Sequence, residues 1–252
     1  MPEGPGQAWS DIPYDPFEAE RRRLPGTAPV GPEGWLVVDG AYAQQMAERD
    51  RLIAARPGDV HRLSAEAAEP AAELLDLVLA NLRHREGFVF GRSDIRRPDG
   101  VRVLRDLSPL LLLGRLVQAD FCLLQAAGGV HRFTGAILCF PASWSLAAKF
   151  GRGLAEIHLP VAAYTPELAR RVERLCAGVQ PGRPLWRANA LRYADHALFQ
   201  PEPRGAHLEA ASAPWLRTER QCLVRLPRTR AVAFSIHTRV LAVARGKSAR
   251  TG

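Results

Sequence analysis

Lysine is scarce in this chain of 252 residues, although the chain is strongly basic. Among the 34 basic residues only Lys149 and Lys247 are lysines, and the rest are arginines. The net charge of +8 at pH 7 is of the kind that favours nucleic-acid binding. However, most arginines are scattered among acids, and zinc-finger, RNP and helix-turn-helix patterns are missing. We therefore expect no nucleic-acid partner.

Long hydrophobic runs and paired cysteine motifs are also missing. The stretch from Leu107 to Val117 is interrupted by Pro109 and Arg115, and it is shorter than the roughly 18 residues of a membrane helix. The first residues lack the basic start and apolar core of a signal peptide. The sequence therefore predicts a cytoplasmic protein without a membrane partner. The cysteines are far apart, without a Cys-x-x-Cys pair, which predicts reduced thiols and excludes covalent c-type haem: Cys122, Cys139, Cys176 and Cys222.

Several common catalytic and nucleotide-binding motifs are absent. The segment Gly151-Arg152-Gly153 lacks the third glycine and the preceding strand of a dinucleotide-binding loop. A Gly-x-Ser-x-Gly elbow and a His-x-x-x-His pair are missing as well. If the protein catalyses redox chemistry, its electrons must come from another component.

The composition, with 47% hydrophobic and 24% charged residues, is typical of a globular protein. Residues 1–32 are rich in proline and glycine and predict an extended N-terminal arm. Residues 33–244 predict a single domain, and the basic residues 245–252 predict a flexible tail.

Hydrophobic periodicity predicts helices first and strands later along the domain. Helices are expected after Asp39, after Ser64 and from Thr165 to Gly178. Strands are expected at 117–126 and 130–140 around Gly128-Gly129, then at 221–226 and 231–243. The sequence therefore predicts an α+β fold with a mostly antiparallel sheet, helices on one side and an N-terminal helical segment.

Polar residues recur within apolar frames, in a consistent order along the chain. These frames are Gln-x-Asp-Phe (Gln118, Asp120, Phe121), Phe-Pro-x-x-Trp (Phe140, Pro141, Trp144) with Lys149, Ile-His-x-Pro-Val (Ile157, His158, Pro160, Val161), Arg-x-Asn (Arg187, Asn189), Arg-x-Glu-Arg-Gln-x-Leu-x-Arg-Leu-Pro (Arg217 to Pro227) and Phe-x-Ile (Phe234, Ile236). From about Trp35 to Val243 their order and spacing resemble the alpha-subunit family of haem-dependent oxidative N-demethylases. The resemblance implies a PAS-like haem domain.

The resemblance also implies a chemistry. It implies haem b, with its iron, in an apolar pocket, and O2 that oxidises an N-methyl group of a small secondary amine, which is lost as formaldehyde. It further implies a separate NADPH-dependent flavin and iron–sulfur reductase. The absence of a nucleotide motif from this sequence agrees with that division of labour.

Within this family frame, His158 is the expected ligand of the iron. Haem iron takes a neutral imidazole or a thiolate as its protein ligand. His158 has apolar neighbours and is followed by Pro160. His237 in the last strand is the rival ligand, and the other histidines are expected to be solvated. A structural role for His158, bonded to the backbone, is the alternative interpretation.

Haem propionates require cationic partners, for which arginine is well suited. The candidate cofactor-binding residues are Arg225, Gln221, Arg187, Arg220, Lys149 and Trp144. Strand alternation places Glu219, Gln221 and Arg225 on one face and Arg220 on the other, so we expect Arg225 and Gln221 to face the pocket. Salt bridges to acids such as Glu219, and a plain core role for Trp144, are the alternatives.

Asp120 and Gln118 are the candidate catalytic residues. Asp120 lies in a short apolar strand, where it is expected to receive the positive charge of an alkylamine or to pair with a buried arginine. Three positions depart from the family pattern, namely Ala119, Ala190 and His237. A lost carboxylate and a lost aromatic ring near the pocket leave the identity of the amine open.

Two further interpretations remain at the level of sequence. The same fold could hold haem, or another apolar ligand, as a non-catalytic PAS-like sensor. Alternatively, the chain could be a scaffold that has lost its cofactor.

Overall fold

A computed structural model of the protein describes residues 12–21, 26–158, 165–202 and 213–243. In chain order the helices and strands are α1 (Pro16–Arg21), β1 (Ala28–Pro29), α2 (Tyr42–Ala55), α3 (Pro57–Val60), β2 (His61–Leu63), α4 (Ala68–Leu82), β3 (Val89–Phe90), β4 (Asp94–Arg96), β5 (Arg102–Leu104), α5 (Pro109–Leu116), β6 (Asp120–Ala127), β7 (Val130–Ile137), α6 (Leu146–Lys149), α7 (Leu154–Ile157), α8 (Pro166–Gly178), β8 (Leu185–Tyr193), β9 (Trp215–Arg225) and β10 (Val232–Ala242). None of these helices is long and apolar enough to cross a membrane.

The main sheet has seven strands in the order β1-β8-β9-β10-β6-β7-β2, and every neighbouring pair is antiparallel. Strands β3, β4 and β5 form a second, antiparallel sheet. The predicted α+β fold with a mostly antiparallel sheet is therefore confirmed, whereas its PAS-like character remains a prediction.

The turn between β6 and β7 shows how local sequence fixes the register of the sheet. Gly128 and Gly129 have φ angles of 60° and 82°. A two-residue turn with two positive φ angles matches the twist of the flanking strands, and glycine adopts it without steric cost. The predicted hairpin is confirmed, with Ala127 opposite Val130.

Helices cover both faces of the sheet, so the prediction of helices on one side is wrong. One face packs on α2, α4 and α5 through residues such as Met46, Leu74, Leu113 and Phe121. The other face packs on α6, α7 and α8. The physical reason is that the central strands are apolar in consecutive residues, which requires cover on both faces.

Several other elements differ from the sequence-based prediction. Strand β8 was not predicted, and β9 begins at Trp215 rather than at Gln221. Both strands alternate between polar and apolar residues only weakly, which conceals the period of two. Within the predicted arm, Pro16–Arg21 is helical and Ala28–Pro29 pairs with β8. Residues 1–11, 22–25 and the predicted tail lie outside the described residues.

Helix α8 begins where the sequence predicts. The Thr165 hydroxyl accepts a hydrogen bond from the Leu168 backbone N–H at 3.3 Å, and Pro166 occupies the first turn. Leu168, Val172 and Leu175 line one side of the helix, yet they are only half-buried, and Cys176 is the fully buried residue. This apolar side faces a cavity rather than close-packed sheet residues.

Candidate functional site

A cavity of about 450 Å³ lies between the sheet and helices α6, α7 and α8. This volume falls within the range of ligand-binding pockets, about 300–1,000 Å³. Most of the lining side chains are apolar, among them Leu124, Phe133, Leu154, Ile157, Val172, Leu175, Leu223, Phe234 and Ile236. The polar lining residues are Thr27, Lys149, His158, Arg187, Asn189, Glu219 and Gln221.

His158 directly follows α7 and lines the cavity. Its Nδ1 lies 2.7 Å from the backbone oxygen of Leu154, which is the backbone bond that the alternative, structural interpretation of His158 predicted. Because a carbonyl oxygen only accepts hydrogen bonds, Nδ1 must carry the proton, and in the neutral ring the lone pair is then on Nε2. Histidines that bind metals through Nε2 are commonly oriented by such a bond.

Burial also favours the neutral form of this imidazole. Desolvation lowers the pKa of His158 below its ordinary value of 6.5. The hydrogen bond to Leu154 raises this pKa, whereas the charges of Lys149 and Arg187 lower it further. A neutral imidazole is the form that ligates a metal.

Lys149 places a cation on the cavity wall. Its Nζ lies 4.3 Å from the centroid of the Trp144 ring, a cation–π contact. Within the described part of the chain, Nζ has no carboxylate at ion-pair distance. Burial lowers the pKa of Lys149, because the cost of removing the cation from water exceeds the opposing effects of Cys122 and of the Glu219 charge. A ligand that carries an anionic group would supply this partner.

A chain of polar side chains crosses strands β8 and β9. The Arg187 Nε donates to the Gln221 amide oxygen at 2.7 Å, and the Gln221 amide nitrogen donates to Glu219 at 2.9 Å. The Arg217 Nε donates to the other oxygen of Glu219 at 3.3 Å. These bonds fix the orientation of each group along one face of the sheet.

Five of the predicted site residues therefore meet at one cavity: His158, Lys149, Trp144, Arg187 and Gln221. They come from α6, the residue after α7, β8, β9 and the loop before α6, so tertiary structure brings together residues that are up to 77 positions apart. Pro160 and Val161 of the same sequence frames lie outside the described residues.

Asp120 and Gln118 are not among the residues that line this cavity. Asp120 is fully buried, lies 2.6 Å from Nη1 of Arg49, and accepts hydrogen bonds from the backbone N–H groups of Cys139 and Phe140. Gln118 exchanges hydrogen bonds with Asp39. The contacts of Asp120 match its alternative interpretation, in which it is the buried partner of an arginine.

Arg225 and Arg220 also lie outside the cavity lining. Arg225 shares the face of Gln221, as predicted, but it lies under the end of α8 and donates to the carbonyl oxygens of Cys176, Ala177 and Val179. Arg220 lies on the opposite face of the strand, with its guanidinium 5.2 Å from the Trp186 ring centroid. The expectation that Arg225 faces the pocket is therefore wrong, because the end of a helix occupies its guanidinium.

The rival histidine, His237, lies outside the cavity lining, and its Nε2 is 2.7 Å from the Asp39 carboxylate. Another histidine, His131, was expected to be solvated but is buried, with Nδ1 2.7 Å from Glu173. That expectation is wrong because α8 covers the strand of His131. His207 lies outside the described residues.

The three departures from the family pattern do not reach the cavity lining. Ala119 is buried in the core beneath α2, α4 and α5. Ala190 faces α1, where it packs with Ala19 and Leu216. His237 contacts Asp39, so none of the three side chains is among those that line the cavity, although Ala190 lies between the lining residues Asn189 and Leu191.

Three polar lining residues, Thr27, Asn189 and Glu219, were not among the predicted site residues. Strand alternation already placed Glu219 on the face of Gln221, so a signal was present in the sequence. Asn189 belongs to a strand that was not predicted, and it is the cross-strand partner of Glu219.

The cavity also contains thiols, from Cys122 and Cys176. Burial raises the pKa of Cys176 to about 12, and it raises the pKa of Cys122 even further. These thiols are therefore protonated near neutral pH and are poor metal ligands. Cys139 and Cys222 are buried as well.

The features of the cavity specify the kind of cofactor that it could hold. The described residues contain no group of three or more His, Cys, Asp or Glu residues that could bind a bare metal ion. A flat apolar group with one metal-bound imidazole and anionic substituents matches the apolar walls, His158 and the cations Lys149 and Arg187.

Comparison with known families agrees with this chemistry. The match covers residues 26–250 and is to the family described as haem-dependent oxidative N-demethylase, alpha subunit-like. The match spans nearly the whole chain, including every residue of the cavity wall. The chain therefore belongs to the alpha-subunit-like family of haem-dependent oxidative N-demethylases.

Proposed function

We propose that this chain is the haem-binding subunit of an N-demethylating monooxygenase that acts on a small secondary amine. In this proposal haem b occupies the cavity, within a domain of PAS-like fold. His158 is the ligand of its iron. The observation that carries the proposal is the hydrogen bond between His158 Nδ1 and the Leu154 carbonyl, because it assigns the lone pair to Nε2 at a cavity wall.

The walls of the cavity suit the rest of the cofactor. Lys149 and Arg187 supply positive charge for the two propionates, and the Trp144 ring contacts the Lys149 ammonium group. Leu223, Phe234 and the lining residues of α8 bury the apolar macrocycle. Ligand binding would complete the packing of α8, whose apolar side is only half-buried.

When bound, haem supplies the site for O2 activation that oxidises an N-methyl group. The overall conversion takes one secondary amine, one O2, two electrons and two protons to a primary amine, formaldehyde and water. The two electrons are proposed to come from a separate NADPH-dependent flavin and iron–sulfur component. The name of the family, which describes an alpha subunit, supports a system of several components. The side chains of this chain bind the amine and exclude water around it.

Reconstitution with haemin tests this function. We expect the wild type to bind haemin with a Soret band that is red-shifted from free haemin, and His158→Ala to bind it at least about tenfold more weakly, because the ligand of the iron is lost. His84→Ala, at an exposed position after α4, is the matched control and should bind haemin like the wild type.

Measurement of formaldehyde release distinguishes an enzyme from a non-catalytic sensor. Haem-loaded protein with dimethylamine, O2 and a chemical or enzymatic reductant should release formaldehyde. Haem binding without formaldehyde would instead identify a non-catalytic haem-binding module. An unchanged Soret band in His158→Ala would contradict the assignment of the iron ligand.

A further inference from the structure

Glu219 is the only carboxylate among the described residues that line the cavity. Its side chain is buried, with a relative exposure of 8%. It points from the middle of β9 toward the same space as Gln221 and Leu223. A buried carboxylate at a ligand-sized cavity is costly unless it has cationic or hydrogen-bonding partners.

The partners of Glu219 orient it without saturating it. Arg217 donates to one oxygen at 3.3 Å, and Gln221 donates to the other at 2.9 Å. Arg217 is itself anchored by the backbone oxygens of Phe140 and Leu198. A carboxylate has about four lone-pair positions, so each oxygen of Glu219 retains acceptor capacity beyond these two bonds.

Asn189 provides a second acceptor beside Glu219. The two residues are directly opposite on β8 and β9, and both line the cavity. Opposite residues in an antiparallel pair have Cβ atoms about 4.5–5.5 Å apart, so one small group can contact both side chains. Among the described residues, the Asn189 side-chain amide has no hydrogen-bond partner.

A protonated secondary amine matches this pair in number and charge. An alkylamine is cationic near neutral pH, as the side chain of lysine is. The secondary ammonium group carries two N–H donors, whereas a tertiary ammonium carries one and a quaternary ammonium none. Two acceptors on adjacent strands therefore distinguish these classes. A secondary ammonium can donate to both acceptors, a tertiary ammonium to one and a quaternary ammonium to neither.

We propose that Glu219 and Asn189 bind the ammonium group of the substrate and select secondary over tertiary amines. Glu219 supplies the negative charge and accepts one N–H, and the amide oxygen of Asn189 accepts the other. Arg217, Gln221 and Arg187 are positioning residues, because they hold Glu219 through side-chain bonds along the sheet. This inference rests on the proposed function, since it names the residues that recognise its substrate.

Calorimetric titration of the haem-loaded protein with dimethylamine and with trimethylamine tests the inference. We expect Glu219→Gln to bind dimethylamine about 10- to 100-fold more weakly than the wild type, because it loses a charge-assisted hydrogen bond. Asn189→Ala should weaken the binding of dimethylamine more than that of trimethylamine. The ratio of the trimethylamine to the dimethylamine dissociation constant should therefore fall toward one. Glu167→Gln, on the exposed side of α8, removes the same charge and should bind both amines like the wild type.

The Soret absorbance of each variant separates this inference from the proposed function. If Glu219→Gln keeps its haem and binds dimethylamine like the wild type, the role of Glu219 is wrong, although haem binding stands. The same holds if the wild type contains haem but does not prefer dimethylamine to trimethylamine. If the wild type binds no haem, the proposed function fails. Titration of the haem-free chain with dimethylamine then tests the role of Glu219 alone. Equal dimethylamine affinity in the wild type and in Glu219→Gln would overturn that role.

Discussion

At the scale of single residues, burial alone does not identify a catalytic carboxylate. Asp120 and Glu219 are both buried acids on strands of the same sheet. Asp120 has its oxygens occupied by Arg49 and two backbone N–H groups, whereas Glu219 faces a cavity. The sequence favoured Asp120 because it stands out in an apolar strand, but only the contacts distinguish the two environments.

Replacement of Asp120 should therefore affect stability. Asp120→Asn leaves Arg49 as a buried cation with a weakened partner, and loss of one member of a buried ion pair costs about 3–5 kcal/mol. Urea denaturation of the haem-free protein measures this change. Asp59→Asn, in an exposed pair with Arg56, is the control and should change the free energy of unfolding by less than about 1 kcal/mol. Wild-type stability together with lost amine affinity in Asp120→Asn would restore Asp120 as the amine-binding residue.

At the scale of elements, α8 lies over the cavity, and polar contacts hold it against the sheet. Glu173 on its side accepts hydrogen bonds from the backbone N–H and Nδ1 of His131. At its end, the Arg225 guanidinium satisfies carbonyl oxygens that a helix terminus leaves unpaired. Because its apolar side lines the cavity, these polar anchors position the helix in place of close packing.

Arg225→Met should loosen the end of α8. We expect faster amide hydrogen exchange in the last turn of the helix and faster loss of haem, by about three- to tenfold, because the terminal carbonyl groups lose a cationic partner worth about 1 kcal/mol. Arg170→Met, on the exposed side of the same helix, is the control. Reduced haem affinity with unchanged exchange would instead indicate that Arg225 binds a propionate directly.

At the scale of the whole molecule, Asp39 joins the N-terminal part of the domain to the last strand. Its carboxylate contacts Nε2 of His237 at 2.7 Å and Nε of Arg239 at 2.8 Å, residues about 200 positions later. Burial alone would raise the pKa of Asp39, but the hydrogen bonds from His237 and Gln118 and the charges of His237 and Arg239 hold it well below 3.8.

This depressed pKa predicts how stability depends on pH. Above pH 3.8, the ordinary value for aspartate, Asp39 is ionised in both the folded and unfolded states, and its stabilising effect is complete. Below this pH the unfolded chain takes up the proton first, so stability falls as the pH approaches the lower pKa of the folded state. Urea denaturation between pH 7 and 3 should show a loss of stability in the wild type that is smaller in Asp39→Asn. Parallel pH profiles for the two proteins would contradict this assignment.

Local sequence determined the elements whose signals are short-range. The Gly128-Gly129 turn, the Thr165-Pro166 start of α8 and the amphipathic α4 depend on backbone conformation and periodicity, which neighbouring residues specify. The ordered polar frames determined the family, because their order and spacing are properties of the sequence itself.

Only the tertiary structure decided which polar residues share the cavity. Arg225 and Gln221 share a strand face, but a helix terminus covers one and the cavity exposes the other. Asn189 meets Glu219 through pairing of β8 with β9, across 30 residues of sequence. Strand alternation assigns a residue to a face, but the partner packed above that face depends on long-range contacts that no local pattern encodes.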